Sequence, residues 1–236
     1  MLTLNKLYSQ LEELLQINAD DSSFDRRLFY DLICQARAVD IRNEYNKLRT
    51  FNPVVIQSLN CVELEIVDAS LCCSGLITGC NVLRTKQQLP ELIEFHQQSA
   101  IRSIKPNSIF GKNINLVEAD RIPYLKTKDG INDNMIYAFI FNNYLYLYSL
   151  NEKYLLIDSI TVSGIFTDPV VAAEFGCSSG NCLTDHDSFP IAQWMWESTT
   201  RVKVLNNLSI KFRTKPDLTN NALDDQLDQQ ITNNKK

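Results

Sequence analysis

The stretch with the side chains for metal or nucleophilic chemistry is Cys177-Ser-Ser-Gly-Asn-Cys182-Leu-Thr-Asp-His186. Thiolates and imidazole are zinc ligands, and Cys-x4-Cys-x3-His spacing is short enough for Cys177, Cys182 and His186 to share one ion. A fourth ligand could come from Cys72, Cys73 or Cys80, in another loop. The paired Cys-x2-Cys of a strong zinc site is missing. The competing reading is of buried or incidental thiols, because free cysteine packs as a small hydrophobe. The expectation is therefore no metal and no cofactor.

Other chemistry is thinner. General-base catalysis usually draws on histidine, and His96, the second of two, lies in ELIEFHQQ with no nucleophile in register. Glu63 and Glu65 fall on one face of an expected strand and read as a solvated face. Asp224, Asp225 and Asp228 lack the glycine and terminal glutamate of a calcium loop. Arg26, Arg27, Arg37 and Arg42 line a helix without a basic excess and read as surface ion-pair partners. Only 7 glycines argues against phosphate-cradling loops. No catalytic constellation emerges.

Composition narrows the classes further. The 236 residues are 44% apolar, enough for a sizeable core, and carry 23 basic and 28 acidic side chains, net charge -5. That balance leaves no electrostatic footprint for a nucleic-acid backbone. The first residues lack the apolar core and cleavage site of an export signal. No apolar run reaches the ~20 residues that span a bilayer. Seven irregularly spaced cysteines do not suggest a disulfide framework. A soluble protein made in a reducing cytoplasm is expected.

The elements follow from periodicity. Leu4, Leu7, Leu11 and Leu14 predict an amphipathic helix over 2–17. A second helix spans 24–49, capped by Ser22 or Ser23. Its Leu28, Phe29, Leu32, Ile33, Ala36 and Val39 share one face, while Ile41, Tyr45 and Leu48 fall opposite. That switch implies either two surfaces, the second on another lobe or a neighbouring subunit, or a kink near Val39–Asp40. Pro53 ends the helix. Strands are predicted at 62–67, 100–105 and 114–117, and weakly at 122–125, with a loop at 70–81. Residues 136–141 and 144–148 flank Asn142-Asn143, and a third run covers 154–165. Because asparagine tolerates positive φ, this reads as a β-meander with a two-residue first turn. A short helix follows Pro169. A last helix runs from Pro190 to about Phe212, although 202–204 and 210–212 would also suit strand. After Thr214 the chain has no aromatic residue, yet Leu223, Leu227 and Ile231 recur every four, as in a tail that becomes helical on a partner or never orders.

The order of features resembles that of structural ring proteins of crAss-like tailed bacteriophages. The residues that carry it are DRRLFYDLICQARAVDIRNEYNK from Asp25 to Lys47, QSLNCVEL from Gln57 with Asp68, and Val82-Leu-Arg-Thr-Lys86. Ile101-Arg-Ser-Ile-Lys-Pro106, the meander and Val162-Ser-Gly-Ile-Phe-Thr-Asp-Pro169 complete it. The resemblance covers most of residues 20–175. It implies a virion component without enzymatic activity, made in the bacterial host cytoplasm. In such a role it assembles as a ring, dodecameric by resemblance, at the neck, contacting the portal protein and adjacent tail or neck rings. DNA passes through without sequence-specific binding, and no membrane is involved.

Together these readings give an α+β fold. N- and C-terminal helices pack together, and a central antiparallel β-meander forms a small sheet or barrel. The expected units are a helical hairpin at 1–53, a β domain at 54–169, a returning helical segment at 170–213 and a flexible tail at 214–236. Ile41, Tyr45, Leu48, Leu223, Leu227 and Ile231 are the candidate partner contacts. The rival functions are another tail or baseplate element, and a zinc-stabilised enzyme or regulatory module built on 177–186.

Overall fold

Residues 2–15, 25–68, 81–96, 98–107, 114–127, 135–175 and 184–211 are described by a computed structural model. Of the loop expected at 70–81 all but Asn81, which begins a strand, lies outside the described residues, as do Cys177, Cys182 and the tail.

Helix α1 (Leu4–Leu14) starts where Thr3 caps it, its hydroxyl accepting from the Lys6 amide, and it buries Leu4, Leu7, Tyr8 and Leu11. Helix α2 (Arg26–Leu48) is capped by Asp25, not Ser22 or Ser23; the carboxylate accepts from the Arg27 amide. An aspartate at an N-cap satisfies an orphan amide and adds charge of the favoured sign. Arg49, with φ 57°, turns the chain out of α2 by donating its amide to the Tyr45 carbonyl.

Among the described residues seven strands follow: β1 (Gln57–Asp68), β2 (Asn81–Thr85), β3 (Ile101–Pro106), β4 (Asn115–Leu116), β5 (Tyr137–Phe141), β6 (Tyr144–Tyr148) and β7 (Ser159–Gly164). Their spatial order is β3-β7-β1-β2-β6-β5-β4. Every pairing is antiparallel except β4 with β5. The two edge strands meet through one bridge, Ile104 to Ile114, so the sheet nearly closes into a barrel. The predicted hairpin is present: Asn142 and Asn143 have φ 50° and 62°, the paired positive values of a type I′ turn.

The third run does not continue the meander. Glu152–Leu156 forms a 3-10 turn, and β7 pairs with β1 and β3 rather than with β6. Residues 119–127, read partly as weak strand, are also a 3-10 turn. Helix α3 (Pro169–Glu174) is capped by Asp168, which accepts from the amides of Val170 and Val171. The last helix, α4, comprises Gln193–Met195, a π-helical turn Trp196–Thr200 and Arg201–Lys211. It begins three residues after Pro190 and contains Val202–Val204 as helix.

Hydrophobic burial falls into three groups. Leu7, Leu11, Phe29, Ile33, Ile41, Trp196, Val204 and Leu208 join α1, α2 and α4 in one core. Leu59, Val62, Leu83, Ala138, Leu147, Ile160 and Val162 fill the barrel. Val82, Phe139, Tyr146 and Tyr148 lie on the outer face of β2, β5 and β6, under Ile122 of the 119–127 turn. Strands covered on both faces explain why β5 and β6 read as continuous apolar runs.

Candidate assembly surface

The α2 residues assigned from sequence to a second surface divide. Ile41 and Tyr45 are 2% and 3% exposed. Ile41 sits in the helical core, and Tyr45 stacks on Phe51 at 4.4 Å with Phe95 edge-on at 5.2 Å. The second face of α2 is therefore covered within the chain at these two positions, and neither is available to a partner. The sequence signal was real, but the helical core covers Ile41, and Phe51 and Phe95 cover Tyr45. Leu48, 62% exposed, remains open. Leu223, Leu227 and Ile231 lie outside the described residues.

Polar side chains between the helices are structural ties. Arg37, read from sequence as a surface ion-pair partner, is fully buried. Its guanidinium donates to the carbonyls of Pro190 at 2.8 Å and Phe166 at 2.9 Å, with Val55 at 3.5 Å. It thus holds three distant segments against α2. Burial pulls its pKa down to about 10, opposed by the nearby Cys34, Tyr30 and Asp168. Asp40, 5% exposed, accepts from the Thr200 hydroxyl at 2.6 Å and pairs with Lys203, joining α2 to α4. The Trp196 indole donates to Gln10 at 2.7 Å, joining α4 to α1.

A tyrosine, a cysteine and an aspartate come together at Tyr30, Cys34 and Asp168, but not as a reactive centre. The Tyr30 hydroxyl donates to Asp168. Burial raises the Tyr30 pKa, reinforced by that hydrogen bond. Burial likewise pushes the Cys34 thiol up to about 12. A nucleophilic cysteine needs the opposite shift. Asp168 is occupied in capping α3.

The zinc reading is touched only through His186. It is exposed, with Nδ1 3.4 Å from the Asn5 amide nitrogen. Among the described residues no three His, Cys, Asp or Glu side chains gather as a metal site. His96 is exposed. Glu63 and Glu65 share a strand face as predicted, each with a cation across on β2 or just beyond it: Lys86 at 3.0 Å and Arg84 at 2.7 Å. No described helix is long and apolar enough to cross a membrane.

What the surface offers instead is apolar side chains and a cleft. Val39, Leu48, Trp194, Val202 and Leu156 are each exposed by more than two fifths, Leu156 by 79%. Where β3 and β4 part beyond their single bridge, a cleft of about 570 Å³ opens among Ile101, Arg102, Leu116, Val117, Arg121 and Ile140. Sequence periodicity could not reveal this cleft, because its two walls come from the first and last strands in the sheet order. Arg37 and Asp40 did leave a trace: each lies within a turn of Ile33, Ala36 or Ile41 on the inward stripe of α2.

The chain is similar to known proteins along most of its length. Ring protein 2 of Bacteroides phage crAss001 is 21% identical over 227 residues, spanning 95% of this chain and 98% of its own length. The family described as phage tail ring protein 2 matches residues 8–226. A match over that extent fixes the assignment: the chain belongs to the phage tail ring protein 2 family.

Proposed function

We propose that this chain is a non-enzymatic virion subunit that closes with copies of itself into a ring at the phage head–tail junction, joining portal to tail. The observation that carries the reading is the family match across residues 8–226. A head-to-tail contact between unlike patches closes into a ring when its rotation allows, and exposed Leu48, Trp194 and Leu156 are apolar groups such a contact would cover. Half-buried Tyr30 and Asp168 and buried Cys34 hold structure rather than a substrate. A dodecamer and a DNA-filled lumen without base-specific contacts belong to the same proposal, and net charge -5 suits a protein-binding surface better than a DNA clamp.

The family description names the tail, which favours, as a second reading, a ring lower in the tail or baseplate. Cryo-electron microscopy of the particle fraction from phage-infected host cells separates the two. Side-chain density for this chain in a closed ring beside the portal is the expected result. A ring elsewhere in the tail selects the second reading. Absence of the protein from mature particles overturns both.

A further inference from the structure

We infer that the C-terminal segment of a neighbouring copy docks as a helix in the cleft between β3 and β4, with Leu223, Leu227 and Ile231 on its apolar floor. The inference rests on the ring reading above. The cleft lies where, among the described residues, one bridge, Ile104 to Ile114, closes the barrel. From there it widens past Leu116 and continues into a crevice of about 240 Å³ between the strands. Ile101, Leu116, Val117 and Ile140 supply apolar lining, with two arginines and Glu118 beside them. Arg102 is exposed and lies over the Phe51 ring at 4.8 Å. Arg121 pairs with Glu118 at 3.2 Å, both side chains more than two thirds exposed.

The occupant is identified by charge, length and spacing. Residues 217–231 contain Asp217, Asp224, Asp225 and Asp228 and no basic side chain. Such a segment is complementary to Arg102 and can compete with Glu118 for Arg121. As a helix, the three anchors fall on one face and span about 12 Å; as a strand they would span about 26 Å. The stretch from 212 to 222 reaches up to about 35 Å when extended. A chain of this size has a radius of gyration of about 17 Å, so the segment can leave its own subunit and meet one packed beside it. A tail given on one side and a cleft offered on another form a heterologous contact, the kind that builds rings.

The test uses the full-length chain with Leu227→benzoylphenylalanine, mixed with ¹⁵N-labelled unsubstituted chain and irradiated. The same mixture is viewed by negative-stain electron microscopy. The expected result is closed rings, with cross-links from position 227 into peptides 98–106, 114–121 or 135–141 of the labelled chain. In the Arg102→Glu, Arg121→Glu double variant, with unchanged circular dichroism, cross-linking falls by about fivefold, as for two exposed ion pairs turned repulsive. Rings whose cross-links map to other peptides, or stay within the unlabelled chain, overturn the docking and leave the ring reading standing. Unchanged cross-linking in the double variant overturns it as well. Absence of closed rings both in solution and in particles overturns the ring reading, and this contact with it.

Discussion

Replacing Asp40 by alanine should loosen the joint between α2 and α4 measurably. The carboxylate is 5% exposed and Thr200 is fully buried, so the Thr200 hydroxyl loses its partner where water cannot replace it. A hydrogen bond to a charged group contributes about 1.5–3 kcal/mol, and a stranded buried donor costs about as much. Lys203 is 37% exposed, so its ammonium turns to water and its share is at most about 1 kcal/mol. Relief of the buried carboxylate's own desolvation offsets part of the sum. The net expectation for Asp40→Ala is a loss of about 2–4 kcal/mol. At about 2–4 °C per kcal/mol for a chain of this length, the Tm falls by roughly 4–16 °C. Asp40→Asn keeps an acceptor for Thr200 and should cost about 1 kcal/mol. The assay is urea unfolding followed by far-ultraviolet circular dichroism and tryptophan fluorescence. A double-mutant cycle with Thr200→Val should return a coupling of about 1–2 kcal/mol. An Asp40→Ala loss below about 1 kcal/mol at unchanged m-value, or a coupling near zero, would refute the argument that this buried acceptor holds the helices together.

Asn143→Gly should stabilise the chain by about 0.5–1 kcal/mol, because a type I′ turn favours glycine at a position held at φ 62°, and chemical unfolding reads the gain. Gly164→Ala should destabilise by about 1–3 kcal/mol: its Cβ would sit 3.2 Å from the Ala100 carbonyl oxygen, which is backbone and yields little. Stability should fall as pH rises from about 9 towards 12. Burial raises the folded pKa values of Cys34, Tyr8 and Tyr154 to about 12, so stability present below the unfolded values is lost as pH climbs through the folded ones; Tyr8→Phe with Tyr154→Phe should flatten that fall in urea titrations. At neutral pH, Cys61, exposed on β1, should react with a thiol reagent far faster than buried Cys34 in the native protein, as peptide mapping of the labelled sites will show.

Local signals in the sequence translated well, and long-range ones did not. Four leucines placed α1, and Asn142-Asn143 placed a hairpin, because both are decided within a few residues. The stretch 154–165 misled, because apolar content is the same whether a strand joins its sequence neighbour or crosses the barrel; here the 3-10 turn at Glu152–Leu156 carries the chain away from β6. The face switch on α2 was visible, but not that Phe51 and Phe95 would cover Tyr45. Nothing in the pattern of residues 190–212 warned of the π turn in α4. Buried Trp196, Thr200, Val204 and Leu208 recur every four residues. In an α-helix that repeat drifts by about 40° per step, and the wider turn takes up some of the drift. The candidate surface was the least legible part, since a cleft between two sheet edges is written in no single segment.

The strand order also sets when a subunit can exist. β1 pairs with β7 about a hundred residues later, and Leu2 of the N-terminal segment bonds to Phe189. At a synthesis rate of about 5–20 residues per second, β1 waits on the order of 5–20 s for its neighbour to leave the ribosome, with its apolar face uncovered. Pairings of such sequence separation fold slowly and only once the chain is nearly whole. A product truncated before β7 would lack both a closed barrel and a closed helical core, and one truncated between β7 and α4 would lack the helical core. Neither would offer a finished surface to a growing assembly, so the topology itself keeps incomplete subunits out.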